Sequence, residues 1–302
     1  MGGETSENGN LSAANGDGQY IIGSPDDAIH SNHTCMITGG TITIASSDDG
    51  ITASESMMLL NGCKITINQC YEGIEGGEIL IGASADSQEA PDIKIYSDDD
   101  GLNAASDMSA HYVYADETEE QYTKTRTASK NNVFYMLDGY LNIMVGDDKT
   151  HSFSLANADQ TVTTGTYSSD GDGIDCNGSF YAYGGTIIVY GPNSGSNSPI
   201  DIDDVYYIGS GVTLLAVGGL GMTESPDITK QAVVVYPSSG NMGTSGRPGP
   251  NMGGGFASSF RAGAAFAILN DDGQTLLAIE PTKDYSYVLY SSPKLVSGAS
   301  YQ

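Results

Sequence analysis

Acidic residues recur in this chain in short phrases of one shape: carboxylates, a glycine, an aliphatic residue, then a polar or acidic residue. The phrases are "SDDGI" at 47–51, "YEGIEG" at 71–76, "SDDDGLNA" at 97–104 and "DGDGIDC" at 170–176, with "DDAIHS" at 26–31 and "PIDIDD" at 199–204 as variants. Set in register, they put Asp27, Asp49, Glu72, Asp100 and Asp172 at one position, and His30, Thr52, Glu75, Asn103 and Asp175 at another. Two like charges ~4 Å apart repel by about 1 kcal/mol in water and about 4 kcal/mol near a protein surface. A stack of carboxylates therefore either holds its protons or takes up a cation. Calcium suits such a stack, because it accepts many oxygen ligands in loose geometry. The candidate ligands are Glu72, Glu75, Asp99, Asp100, Asp172 and Asp175, followed by Asp48, Asp49, Asp201 and Asp203. The competing explanation is a solvated acidic corner in which Asp-Gly only makes turns.

Other chemistry is less well served. The acidic phrases lack the ligand spacing of an EF-hand. No nucleophile elbow or phosphate loop occurs. The 4 histidines have no ligand spacing. Cys35, Cys63, Cys70 and Cys176 fit neither a zinc site nor a disulfide framework and are expected as buried thiols. Polysaccharide elimination needs a base, usually Lys or Arg, beside the metal. Lys64 and Lys94 point outward from strands, and Lys124, Arg126 and Lys130 sit on an insertion, so no base stands out. A hydrolytic carboxylate pair stays open among so many aspartates. Tyr71, Tyr181 and Tyr183 lie beside the acidic columns and offer sugar-stacking faces, although tyrosine also fills strands.

The elements that carry these phrases repeat. Ile29 and Ile51 are 22 residues apart, and Ile51 and Ile74 are 23 apart. Each repeat holds three short segments, the last alternating strictly: Ile42/Ile44, Ile65/Ile67, Ile93/Ile95, Leu141/Ile143, Ile187/Val189. Alternation in Ile, Val and Thr means strands with one buried face. No helical pattern separates them, which disfavours leucine-rich repeats, and the nonapeptide of a calcium β-roll is absent. The expected fold is all-β: a right-handed parallel β-helix of three sheets with a short C-terminal β-hairpin cap. The expected layout is a flexible tail at 1–19, the β-helix at 20–236, a Gly/Pro-rich loop at 237–255 and a cap at 256–302 of the same domain. Insertions at 105–132 and 147–169 read as surface loops. The ladder Ile42–Ile65–Ile93 should be buried.

Formal net charge is -27, with a pI near 4.1. Such a surface repels nucleic acid and anionic membranes and attracts cations. No apolar run is long enough for a membrane span. The first Lys or Arg is Lys64, so the opening residues lack the basic region of a secretory signal. A monomer is expected.

The phrases "YEGIEG", "SDDDGLNAAS", "GDGIDCNGSFYAYGGTIIVYGP" and "YSYVLYSSPKL" together resemble the clostridial acid-sugar- and cellulose-binding β-helix proteins, a carbohydrate-binding domain-containing family, over most of 20–300. The resemblance implies a secreted bacterial protein, extracellular or at the cell surface. It further implies a pectate-lyase-like coil, bound Ca2+, and affinity for pectin or polygalacturonate, with cellulose as a second ligand. Cys70 and the long insertion depart from that pattern. Candidate glycan contacts are Tyr71, Asn103, Lys124, Arg126 and Tyr181. The readings left open are a calcium-loaded glycan binder, a calcium-dependent pectate lyase, and a structural surface adhesin.

Overall fold

The computed structural model describes residues 19–24, 27–59, 62–82, 89–105, 132–146, 151–156, 162–167, 171–193, 197–237 and 259–302. The expected N-terminal tail up to residue 18, most of the 105–132 insertion with Lys124 and Arg126, and the Gly/Pro-rich loop lie outside the described residues. Every regular element described is a strand.

The alternating segments build a 9-stranded sheet. Its strands Gly40–Ser46, Cys63–Gln69, Asp92–Ser97, Tyr140–Val145, Thr186–Tyr190 and Thr213–Gly218 pair in parallel, each with the next. Between consecutive members the chain visits an 11-stranded sheet and returns one step along. Parallel pairing forces this excursion, because a tight hairpin can join only antiparallel strands.

Register converts sequence alternation into ladders. Ile42 stands opposite Ile65, Ile65 opposite Ile93, Ile93 opposite Leu141, and Leu141 opposite Ile187. All five are buried, as the alternation predicts. The other sheet contributes Ile51, Ile74, Leu102 and Ile174 in register, and a stack of Phe134 on Phe180 with ring centroids 4.8 Å apart. These ladders meet in one continuous core. Fully burying each such side chain contributes about 1.5–3 kcal/mol. A one-residue slip in register would turn a whole strand inside out.

Two features differ from the sequence reading. Three sheets were expected, one per segment; the first and second segments instead share one sheet. Strands Ile51–Leu59 and Ile74–Ile81 run on through the expected corner, accommodated by a register shift between Ala53 and Ser56. The 147–169 excursion contains an antiparallel pair, His151–Ala156 with Val162–Tyr167.

The C-terminal strand Tyr287–Ser291 pairs antiparallel with Thr213–Gly218, and Val233–Tyr236 pairs outside it. This covers the last parallel edge, which would otherwise expose a row of unpaired backbone groups. The hairpin Phe266–Leu269/Thr275–Ile279 turns through "NDDG", as its sequence predicts, and packs with Leu215, Val217 and Tyr290 in a second small core.

Candidate metal and glycan site

The glycine of each acidic phrase is needed for close approach rather than for a turn. A Cβ on Gly50 would lie 2.6 Å from the Gly73 carbonyl oxygen and 2.7 Å from Ile67 Cδ1. Any side chain there would drive adjacent rungs apart. The glycine amides donate along the stack: Gly50 to the Glu72 carbonyl at 2.8 Å, Gly73 to that of Asp100 at 2.9 Å, Gly101 to that of Asp172 at 3.0 Å. This places Asp49, Glu72, Asp100 and Asp172 over one another, the first acidic column of the sequence reading.

Their carboxylates cap the backbone of the next rung. Asp27 accepts the Asp49 amide at 3.4 Å, Asp49 accepts the Glu72 amide at 3.2 Å, and Asp100 accepts the Asp172 amide at 2.5 Å; Asp172 accepts that of Ser198. Glu72 breaks the series. Its longer side chain reaches sideways, and Oε2 accepts from Asn103 Nδ2 at 3.0 Å. These bonds give the acidic column a structural role beside any ligand.

Strand pairing aligns the second column as Thr52, Glu75, Asn103, Asp175 and Asp201. The two columns meet at one group: carboxylate oxygens of Asp49, Glu72 and Glu75 lie within 4.8 Å of one another. A neighbouring group joins Asp27, Asp48 and Asp49. Burial, then the charges of Glu75, Asp27 and Asp48, pushes Asp49 up to about 7. Burial, then Asp49 and Glu75, pushes Glu72 up to about 8, while the Asn103 amide pulls it back. Burial is also the main cause for Asp100, raised to about 9, for Asp172, about 7, and for Asp175, about 6. Further along, Glu224 is raised to about 7 by burial and by Asp201, Asp227 and Asp203.

The donors fit a hard cation. They are oxygens only, they are desolvated, and they repel one another when all are charged. Asn103 Oδ1 adds an independent sign: it is buried and has no hydrogen-bond partner among the described residues. An amide oxygen left so is costly unless something accepts its lone pairs.

Of the expected ligands, Asp48, Asp49, Glu72 and Glu75 fall in these groups, and Asp49 links them. Asp99 instead hydrogen-bonds the Tyr71 hydroxyl, raising its pKa. Asp100, Asp172, Asp175 and Asp201 continue the stack without forming a third such group among the described residues; Asp203 is exposed. Lys64 and Lys94 flank Asp92 on the 9-stranded sheet, at 3.6 and 3.9 Å. Tyr181 stacks on Tyr135 with centroids 5.4 Å apart. All four cysteines are free, buried thiols, with Cys35 raised to about 11 by burial. Sequence reasoning missed Glu224, which lies on an irregular segment outside the repeat, and missed Tyr135 and Tyr207 as partners of Tyr181.

Residues 8–204 match the model of a family described as "Carbohydrate-binding domain-containing protein". The chain belongs to this carbohydrate-binding domain-containing family. The matched span takes in both acidic columns through Asp203 and the stacked Tyr135–Tyr181 pair, while the C-terminal cap lies beyond it. No curated protein and no solved structure matches the chain. For this carbohydrate-binding family member, a polysaccharide is the partner that family membership supports. No helix among the described residues is long and apolar enough to cross a membrane.

Proposed function

We propose that this family member is a secreted glycan-binding protein, coiled as a right-handed parallel β-helix. Its carboxylate group at Asp49, Glu72 and Glu75 would hold Ca2+ and recognise acidic plant cell-wall polysaccharide such as pectin or polygalacturonate. The observation that carries this reading is the convergence of those three carboxylates beside the orphaned Asn103 Oδ1.

The conflict to resolve is charge. A chain carrying -27 repels a polyanion. That repulsion is screened beyond ~8 Å in physiological salt, so the charge at the contact itself decides. Calcium bound there would supply positive charge and coordination positions open to uronate oxygens. The chain's part is to hold the oxygens: Asp49 fixed by Thr52 Oγ1 at 3.1 Å, Glu72 fixed by Asn103, and Glu75, on the rung of Glu72, aligned with Thr52 on one side and Asn103 on the other.

The test is co-sedimentation with covalently cross-linked polygalacturonate beads, which stay insoluble without calcium, in calcium and in EDTA, with absorbance of unsaturated products followed in the supernatant. The proposal expects retention in calcium, release by EDTA, and no product. Retention that ignores EDTA refutes the calcium bridge, and unsaturated oligogalacturonides move the chain to the lyases.

A further inference from the structure

Between the short strands Ile174–Cys176 and Ser179–Ala182 the chain turns at Asn177–Gly178. Glycine is forced there by packing. A Cβ on Gly178 would fall inside the van der Waals envelope of the Asn132 carbonyl oxygen, which already accepts the Ser179 amide at 3.1 Å. No side chain fits between these two rungs, so residue 177 is necessarily followed by glycine.

Asn177 is exposed, and its backbone is held, the amide donating to the Ala104 carbonyl at 3.3 Å. Its side-chain amide makes no hydrogen bond among the described residues. The Gly178 amide stands outside the backbone ladder. Its neighbours donate to Ala104 and Asn132, while the Gly178 N–H faces the sulfur of Cys176, a weak acceptor. Gly62 gives the contrast: it too follows an asparagine, yet its amide donates to the Glu89 carbonyl at 2.6 Å. Every other asparagine among the described residues precedes a residue with a side chain.

We propose that Asn177 is a site of spontaneous deamidation in the folded chain. The electrophile is the side-chain amide carbon of Asn177, and the nucleophile is the backbone nitrogen of Gly178. Once deprotonated, that nitrogen attacks the carbon. The new C–N bond closes a succinimide ring, and the side-chain nitrogen leaves as ammonia. Water then opens the ring at either carbonyl. One opening gives aspartate; the other gives isoaspartate, with the main chain routed through the former side-chain carbon. The only co-reactant is water. A Cβ at 178 would shield the nitrogen, so the glycine that packing requires also exposes the chain to this reaction. The proposal depends on neither calcium nor glycan binding.

The product alters the acidic stack. Strand pairing sets Asp175 beside Asp201 and Cys176 beside Ile202, which continues to Asn177 opposite Asp203. The Asp203 amide donates to the Cys176 carbonyl at 3.0 Å, and the Asp204 amide to that of Gly178 at 2.8 Å. A carboxylate at 177 adds a charge one rung, ~4.8 Å, from Asp203. Isoaspartate also lengthens the backbone between those two carbonyls and breaks their register with the next rung.

The test is peptide mapping by mass spectrometry of the folded chain held in mildly alkaline buffer with EDTA. Labelling by isoaspartyl methyltransferase separates the two products, and a urea-unfolded sample runs in parallel. Conversion is expected at Asn177 ahead of every other described asparagine, and ahead of Asn61, which precedes Gly62. Urea should erase that order. Asn177→Gln, which would have to close a larger ring, should stay unconverted and keep the parent's stability. The isoaspartate-rich fraction, separated from the parent, should unfold at a lower urea midpoint. A folded chain intact at Asn177 while the unfolded chain converts overturns the proposal, because the turn then protects the amide. Conversion at Asn61 before Asn177 in the folded chain overturns it too, by removing any role for the Gly178 nitrogen's freedom from the ladder.

Discussion

Glu72 Oε2 accepts a hydrogen bond from Asn103 Nδ2 at 3.0 Å, a contact that joins the two acidic columns across adjacent rungs, where Thr52 and Asp49 join them within one rung. It also sets the amide so that Oδ1 is the buried atom without a partner. Asn103 thus steadies one of the proposed ligands and offers an oxygen of its own. Replacing it by alanine removes both. Calcium affinity at neutral pH should fall by about 10–100-fold, the usual effect of losing an outer partner of a metal ligand. Calorimetric titration of Asn103→Ala with calcium measures it; an unchanged affinity would place the cation elsewhere.

The raised carboxylates make a pH prediction with an unusual sign. Asp49, Glu72 and Asp100 titrate in the folded chain at about 7, 8 and 9, against ordinary values of 3.8, 4.5 and 3.8. The folded state therefore binds more protons than the unfolded state between about pH 4 and pH 9, and stability falls as pH rises through that window. In EDTA, Tm should climb on acidification from pH 9 to about pH 5. With calcium bound as proposed, protons and calcium would compete for the same oxygens, so saturating calcium should restore Tm at pH 8 and do little at pH 5. Melting curves at both pH values, with calcium and with EDTA, check this. An EDTA-treated protein most stable at alkaline pH would contradict the burial of these groups.

The glycine stack yields a stability prediction independent of any ligand. Gly50→Ala puts a methyl against the Gly73 carbonyl and Ile67. Backbone must shift to make room, at a cost of about 1–3 kcal/mol. Urea unfolding in EDTA should show a lower midpoint. Gly211→Ala is a poor control, because its φ is 96°.

Much of the fold could be read from particular residues, and much of the site could not. Ile42, Ile65 and Ile93 announce their register because alternation over Thr and Ile leaves one choice of buried face. The union of the first two segments into one sheet was hidden, because "EGGE" at 75–78 looks like a corner while the chain passes through it as strand. The acidic columns were legible because the phrase repeats. Which carboxylates converge was not, because that depends on side-chain reach: Glu72 extends to Asn103 where Asp100 stays on the next amide. Glu224 has no repeat to mark it. Tyr135 and Tyr207 look like strand filler until register stacks them with Tyr181.

The proposed calcium bridge is tested most directly by calorimetric titration of a galacturonate oligomer into the chain. It should be run with calcium, with EDTA, and with calcium on the double variant Asp49→Ala/Glu75→Ala. Binding in calcium, lost by at least about tenfold both in EDTA and in the variant, is the result predicted. Equal binding under all three conditions would contradict a calcium bridge at Asp49, Glu72 and Glu75.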